Sequence, residues 1–92
     1  MNEERIRRRV VAHGRVQGVF FRDTVSSEAE SRGVAGWVKN RDDGTVEAVF
    51  EGDRGGVEAM VDLCGSGPES ADVAELEAGE EAPEGLSGFE VR

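Results

Sequence analysis

The sequence predicts an α+β domain with the element order β-α-β-β-α-β, two helices packing on one face of an antiparallel sheet. Three observations carry this. Val10/Ala12 and Val46/Ala48/Phe50 recur every second residue, the period of half-buried strands. Phe21/Val25/Ala29 and Val57/Met60/Val61/Cys64 recur at helical spacing. Between them, Asp43-Gly44 separates two apolar runs, a strong hairpin signal.

Taken in order, Arg5-Ile6-Arg7-Arg8-Arg9 reads as a solvated strand start running into Val10-Val11-Ala12. Alternation places Val10 and Ala12 on one face and Arg9, Val11 and His13 on the other. The first helix extends from Phe21 to about Arg32, with Asp23 suited to its N-terminal dipole and Gly33 as its stop. Its apolar stripe is thin, so tertiary packing has to supply most of its stability. Val34–Asn40 reads as the second strand and Thr45–Glu51 as the third, ended by Gly52. Asp53 is expected to cap the second helix, which closes at Gly65-Ser66-Gly67-Pro68. Ala71–Glu77 is a weaker strand candidate, 78–88 an acidic loop, and Phe89–Arg92 a short terminal strand. This is the ferredoxin-like split βαβ arrangement in one domain, 1–92, and many unrelated functions use it.

Composition excludes several classes. The chain has 92 residues, 20 acidic against 11 basic, and a formal net charge of −9. That field repels nucleic acid and anionic membranes, and no stretch is long and apolar enough to span a bilayer. The first residues, Met1 to Arg5, lack the apolar segment of a secretory signal. The single cysteine, Cys64, rules out an internal disulfide framework and fits a reducing cytoplasm, most simply as buried filler. With one histidine beside it, a Cys/His metal site is not expected. Lys39 is the only lysine and Ile6 the only isoleucine, while Val, Ala and Gly abound. Such a composition suits either concentrated salt or ordinary acidic solubilisation.

The stretch Gly14-Arg15-Val16-Gln17-Gly18-Val19-Phe20-Phe21-Arg22 joins the first strand to the first helix. A tight turn there leaves backbone N–H groups without partners, at the end of the helix where the dipole favours negative charge. Gly14 and Gly18 can adopt positive φ and let an anion approach the backbone, and Arg22 falls in the first helical turn. The pattern describes an oxyanion cradle, most simply for phosphate. It equally describes a plain strand-to-helix turn with a surface arginine.

These residues resemble the acylphosphatase family. Gly14 to Arg22 is similar to that family's first signature. Gly36-Trp37-Val38-Lys39-Asn40, followed by Gly44, Val46 and Gly52, is similar to its second. The likeness spans essentially the whole chain; Ala12 departs from it, standing where a larger aliphatic is usual. The resemblance implies hydrolysis of small acyl phosphates to a carboxylate and inorganic phosphate, without cofactor or metal and as a monomer. It implies that Arg22 binds phosphate, that Asn40 positions water, and that Arg15, Val16, Gln17, Gly18, Val19 and Phe20 form the cradle.

The chemistry agrees with the residues. A carboxylate leaves without protonation, so no general acid is needed, and phosphoryl transfer asks mainly for positioning and charge stabilisation. Guanidinium makes forked contacts with phosphate and stays charged, and the Asn40 amide can both accept from and donate to a water. Alone, Asn40 reads as a strand-end residue before a turn. Arg15, Lys39 and Arg41 are expected to flank the pair and make the mouth locally positive. The competing readings are a non-catalytic anion- or partner-binding module of the same fold, and an RNA-binding sheet, which needs exposed aromatics and a basic face.

Overall fold

The computed structural model describes residues 4–92. Met1, Asn2 and Glu3, part of the N-terminal stretch read for a signal, lie outside the described residues. The element order is β1 (Arg5–Arg15), α1 (Phe21–Arg32), β2 (Ala35–Asn40), β3 (Val46–Asp53), α2 (Arg54–Ser66), β4 (Asp72–Glu81) and β5 (Phe89–Val91). The strands form a single sheet in the order β4-β1-β3-β2-β5. The first four pair antiparallel, as expected, and β5 adds at the edge in parallel to β2, so the sheet is mixed.

Both helices cover one face. Helix α1 buries Phe21, Val25 and Ala29 and ends at Gly33, whose left-handed conformation (φ 68°) closes the last turn. The Asp53 side chain caps α2 by accepting from the Gly56 amide at 3.1 Å. Val57, Met60 and Cys64 of α2 face the sheet, with Val61 half-buried beside them. Val10, Ala12, Val38, Val46, Ala48 and Phe50 complete the core from below. Burial pushes the Cys64 thiol up to about 12, which leaves it protonated and inert.

Two strand ends differ from the local reading. Strand β3 continues through Gly52 to Asp53, because β1 extends to Arg5 and supplies the partners. Strand β4 runs on to Glu81, and the acidic loop shrinks to the residues before β5. Ala78-Gly79-Glu80-Glu81 has no strand-like pattern of its own. It pairs with Val10, Arg9, Arg8 and Arg7, and the Glu81 carboxylate accepts from Arg7 Nε at 2.8 Å and Arg9 Nε at 2.6 Å. Cross-strand ion pairs supply what propensity lacks. Arg7, read as part of a solvated start, is buried (4% exposed), because Glu51 and Glu81 enclose its guanidinium.

The face of the sheet away from the helices is neither bare nor apolar. Val49 and Glu51 are fully buried on it, and Arg9 bridges Glu47 and Glu81. Trp37 lies beneath three cations, with Arg92, Lys39 and Arg9 at 4.7, 5.5 and 5.7 Å from its ring centre. An RNA-binding sheet would have to offer that ring to a base. No helix among the described residues is long and apolar enough to cross a membrane.

Candidate active site

The loop between β1 and α1 is aimed by a bulge. The register of β1 against β4 shifts between His13 and Gly14, and Gly14 sits at φ 124°, where a Cβ would come within 2.3 Å of the Asp72 carbonyl. Past this point Val16 inserts into the core and Val19 packs against it. The Val19 carbonyl accepts from Ser70 Oγ at 2.7 Å, which ties the loop to the segment before β4. Gly18 (φ 74°) and Phe20 (φ 62°) both take left-handed conformations, an alternation that turns successive amides toward one side.

The amides of Gln17, Gly18, Val19 and Phe20 donate to no acceptor among the described residues. Phe20 is the N-cap of α1 and its side chain accepts nothing, so the first-turn amides stay free as well; the first bond of the helix is Thr24 N–H to the Phe20 carbonyl, 3.1 Å. Left-handed backbone at a bulky residue costs roughly 1–2 kcal/mol, a strain retained here at the mouth of the loop.

Asn40, the last residue of β2, reaches the same place from the other side. Gln17 fixes that meeting: its Nε2 donates to the Arg41 carbonyl at 2.8 Å and the Thr45 carbonyl at 2.9 Å. The β2–β3 turn is itself rigid, with Asp43 Oδ1 accepting from the Thr45 amide at 3.0 Å and hydroxyl at 2.6 Å. Those bonds hold the Asp43 carboxyl below its usual range. A side chain from the glycine loop thus clamps the hairpin turn that carries Asn40.

The cleft between these segments has a volume of about 290 Å³ and is lined by Val16, Gly18, Phe20, Phe21, Arg22, Asp23 and Asn40. Arg22 and Asn40 therefore share one cavity wall-to-wall with the loop. Arg22 Nη1 donates to the backbone oxygen of Arg92 at 3.0 Å, and the Arg92 amide donates to the Val38 carbonyl at 2.8 Å, so the end of the chain orients the guanidinium. Among the described residues, every other arginine and Lys39 has an Asp or Glu carboxylate within 4.0 Å; Arg22 has none.

The expected ring of four cations is not formed. Arg15 pairs with Asp72 at 3.2 Å, Lys39 with Glu47 at 3.9 Å and Arg41 with Asp43 at 3.9 Å, and none of the three lines the cleft. Strand ends in an acidic chain meet carboxylates more often than they stand free. Asp23 lies exposed at the rim, on the first turn of α1. The residues that pattern reading did not single out for placement are Ser70 and Arg92, together with the side chain, rather than the backbone, of Gln17. A polar amide kept inside a glycine turn was the only local sign of the Gln17 clamp. No group of three or more metal-ligating side chains occurs among the described residues.

The family model for acylphosphatase matches residues 8–91. An acylphosphatase from Haloarcula marismortui is 55% identical over 86 residues, covering 94% of each chain. The crystal structure of acylphosphatase from Bacillus subtilis superposes with a TM-score of 0.89 at 39% identity, over 95% of this chain and 98% of that one. The acylphosphatase structure from Coxiella burnetii gives 0.90 at 38% identity, over 96% and 93%. The fold thus agrees with these relatives across nearly the full length, and the chain belongs to the acylphosphatase family.

Proposed function

We propose that this chain hydrolyses the carboxyl-phosphate bond of small acyl phosphates, releasing a carboxylate and inorganic phosphate. The observation that carries the reading is the shared cleft: unpaired loop amides, the Arg22 guanidinium and the Asn40 carboxamide all border one cavity.

In this mechanism the peripheral phosphoryl oxygens sit on the amides of residues 16–20 and the first turn of α1, where the helix dipole adds to the attraction. Arg22 holds the same oxygens and offsets the charge that spreads over them as the P–O bond lengthens. Arg15 closes the cradle by its backbone, at the end of β1, its side chain being engaged by Asp72. Asn40 accepts a hydrogen bond from water through its carbonyl oxygen and directs the lone pair along the line of the breaking bond. Orientation of this kind is worth up to ~7–11 kcal/mol. The carboxylate departs with the bonding electrons, and the water protons pass to the phosphate product and solvent. No step requires a residue that titrates near neutrality, a metal or a cofactor. The exposed Asp23 carboxylate faces water at the rim, where solvent screens its repulsion of the substrate.

The single buried thiol suits a reducing cytoplasm, and nothing in the mechanism calls for a second copy, so we read the chain as acting as a monomer there. The test is hydrolysis of a chromogenic acyl phosphate beside a phosphate monoester, with and without EDTA. Turnover of the acyl phosphate alone, unchanged by EDTA and flat around pH 7, is the expected result. Phosphate binding without turnover would make the chain an anion-binding module instead.

A further inference from the structure

Phe20 is the loop residue whose chemistry an anion does not explain. Among the described residues it is the only non-glycine with positive φ (62°), a region where bulky side chains are strained. Its ring is also 74% exposed, the most exposed large hydrophobic of the described chain. A glycine or asparagine would give the same backbone and the same outward amides without either disadvantage. Strain and exposure coincide at the cleft, which Phe20 lines together with Val16, Phe21, Arg22 and Asn40.

The geometry of the reaction says what reaches that mouth. Once the peripheral oxygens of the phosphoryl group rest on the loop amides and Arg22, the bridging oxygen has to leave opposite the attacking water, and the acyl group extends from it toward the rim. We propose that Phe20 is a specificity-determining residue. Its ring packs on the acyl part, so that acyl phosphates with an apolar, above all aromatic, acyl group are favoured over acetyl phosphate. This rests on the acyl phosphate reading above. Aromatic stacking suits the task because the ring offers a face to the acyl group without competing for the anion.

The experiment compares kcat/KM for benzoyl phosphate and acetyl phosphate in wild type, Phe20→Gly, Phe20→Asn and Phe20→Leu, with a thermal melt of each. Glycine and asparagine tolerate the left-handed backbone, so their Tm should equal or exceed that of wild type. Their benzoyl-to-acetyl ratio should fall about fivefold, chiefly through KM for benzoyl phosphate, as loss of one aromatic contact predicts. Leucine, still apolar, should retain most of the preference. A ratio unchanged within about twofold in folded Phe20→Gly and Phe20→Asn, with both substrates still hydrolysed, overturns the role of Phe20 alone. Wild type that hydrolyses neither substrate overturns the acyl phosphate reading and this inference with it.

Discussion

Replacing Glu51 by Gln should cost this domain about 3 kcal/mol at neutral pH, and the cost should vanish in acid. Glu51 is fully buried on β3. One carboxylate oxygen accepts from Arg7 Nη1 at 3.2 Å and the Glu84 amide at 3.0 Å. The other accepts from Arg5 Nη2 at 3.1 Å and the amides of Gly85 and Leu86 at 2.7 and 3.1 Å. Burial alone would push the carboxyl up, but the amides and Arg5 outweigh it and bring it from 4.5 down to about 2. At ~1.4 kcal/mol per pH unit of displacement, the charged form contributes ~3 kcal/mol to folding, a large share of the ~5–15 kcal/mol typical of a whole domain. Gln keeps the size but turns an NH2 toward donors and leaves Arg7 Nη1 buried without its carboxylate. For a domain of this size the loss corresponds to a Tm lower by ~15–20 °C. Because the folded-state value is depressed, the contribution is complete above the unfolded value and fades as pH falls through the folded one. The Tm gap between wild type and E51Q should therefore narrow between pH ~4.5 and ~2. Other carboxylates titrate in both proteins and cancel in the difference. A gap under ~3 °C at pH 7, or one that persists undiminished at pH 2, would refute the reasoning.

Arg22→Ala should lower kcat/KM by ~10³-fold or more and weaken phosphate binding in calorimetry; Arg22→Lys should recover little, because an ammonium cannot fork. Asn40→Ala should lose turnover yet bind inorganic phosphate within about threefold of wild type, since Asn40 is read as acting on water rather than on the anion. Gly36→Ala should unfold the chain or lower its Tm beyond that of E51Q, because the added Cβ would lie 1.8 Å from the Val49 carbonyl; circular dichroism during a melt decides it. Raising KCl from dilute to molar should increase Tm, as screening to ~3 Å removes the self-repulsion of the acidic surface; a flat or falling Tm would leave solubility as the simpler reason for the charge.

What could be read from the sequence follows a physical division. Elements whose stabilisation is local were legible: the α1 stripe with Gly33 behind it, the Asp53 cap of α2, the Asp43-Gly44 hairpin. Each is written within a few residues. The second half of β4 was not, because Gly79-Glu80-Glu81 becomes a strand only where Arg7 and Arg9 lie opposite. The parallel pairing of β5 was hidden for the same reason; three residues cannot say which edge they will join. Arg7 was misplaced outside because its partner Glu51 is 44 positions away. For the cleft, local patterning supplied the amides and the glycine turn, while the meeting of Arg22 with Asn40 came from the resemblance and not from spacing.

The same division explains how an acidic chain can present an anion site. On β1, four of its ten arginines, Arg5, Arg7, Arg9 and Arg15, are neutralised by carboxylates from β3, β4 and the segment before β5. Apart from those around buried Glu51, such pairs contribute little stability individually, but they leave fewer unpaired cations on the sheet. Arg22 has no Asp or Glu side chain as a partner; its neighbour is the main-chain oxygen of Arg92, which orients the guanidinium. Free amides at a helix start are neutral and add only partial charges. On the proposed function, the Arg22 guanidinium beside them draws a small anion to the cleft of a chain whose net charge is −9. On that proposed function, preference for a small, compact phosphate arises from where carboxylates are placed as much as from the arginine itself.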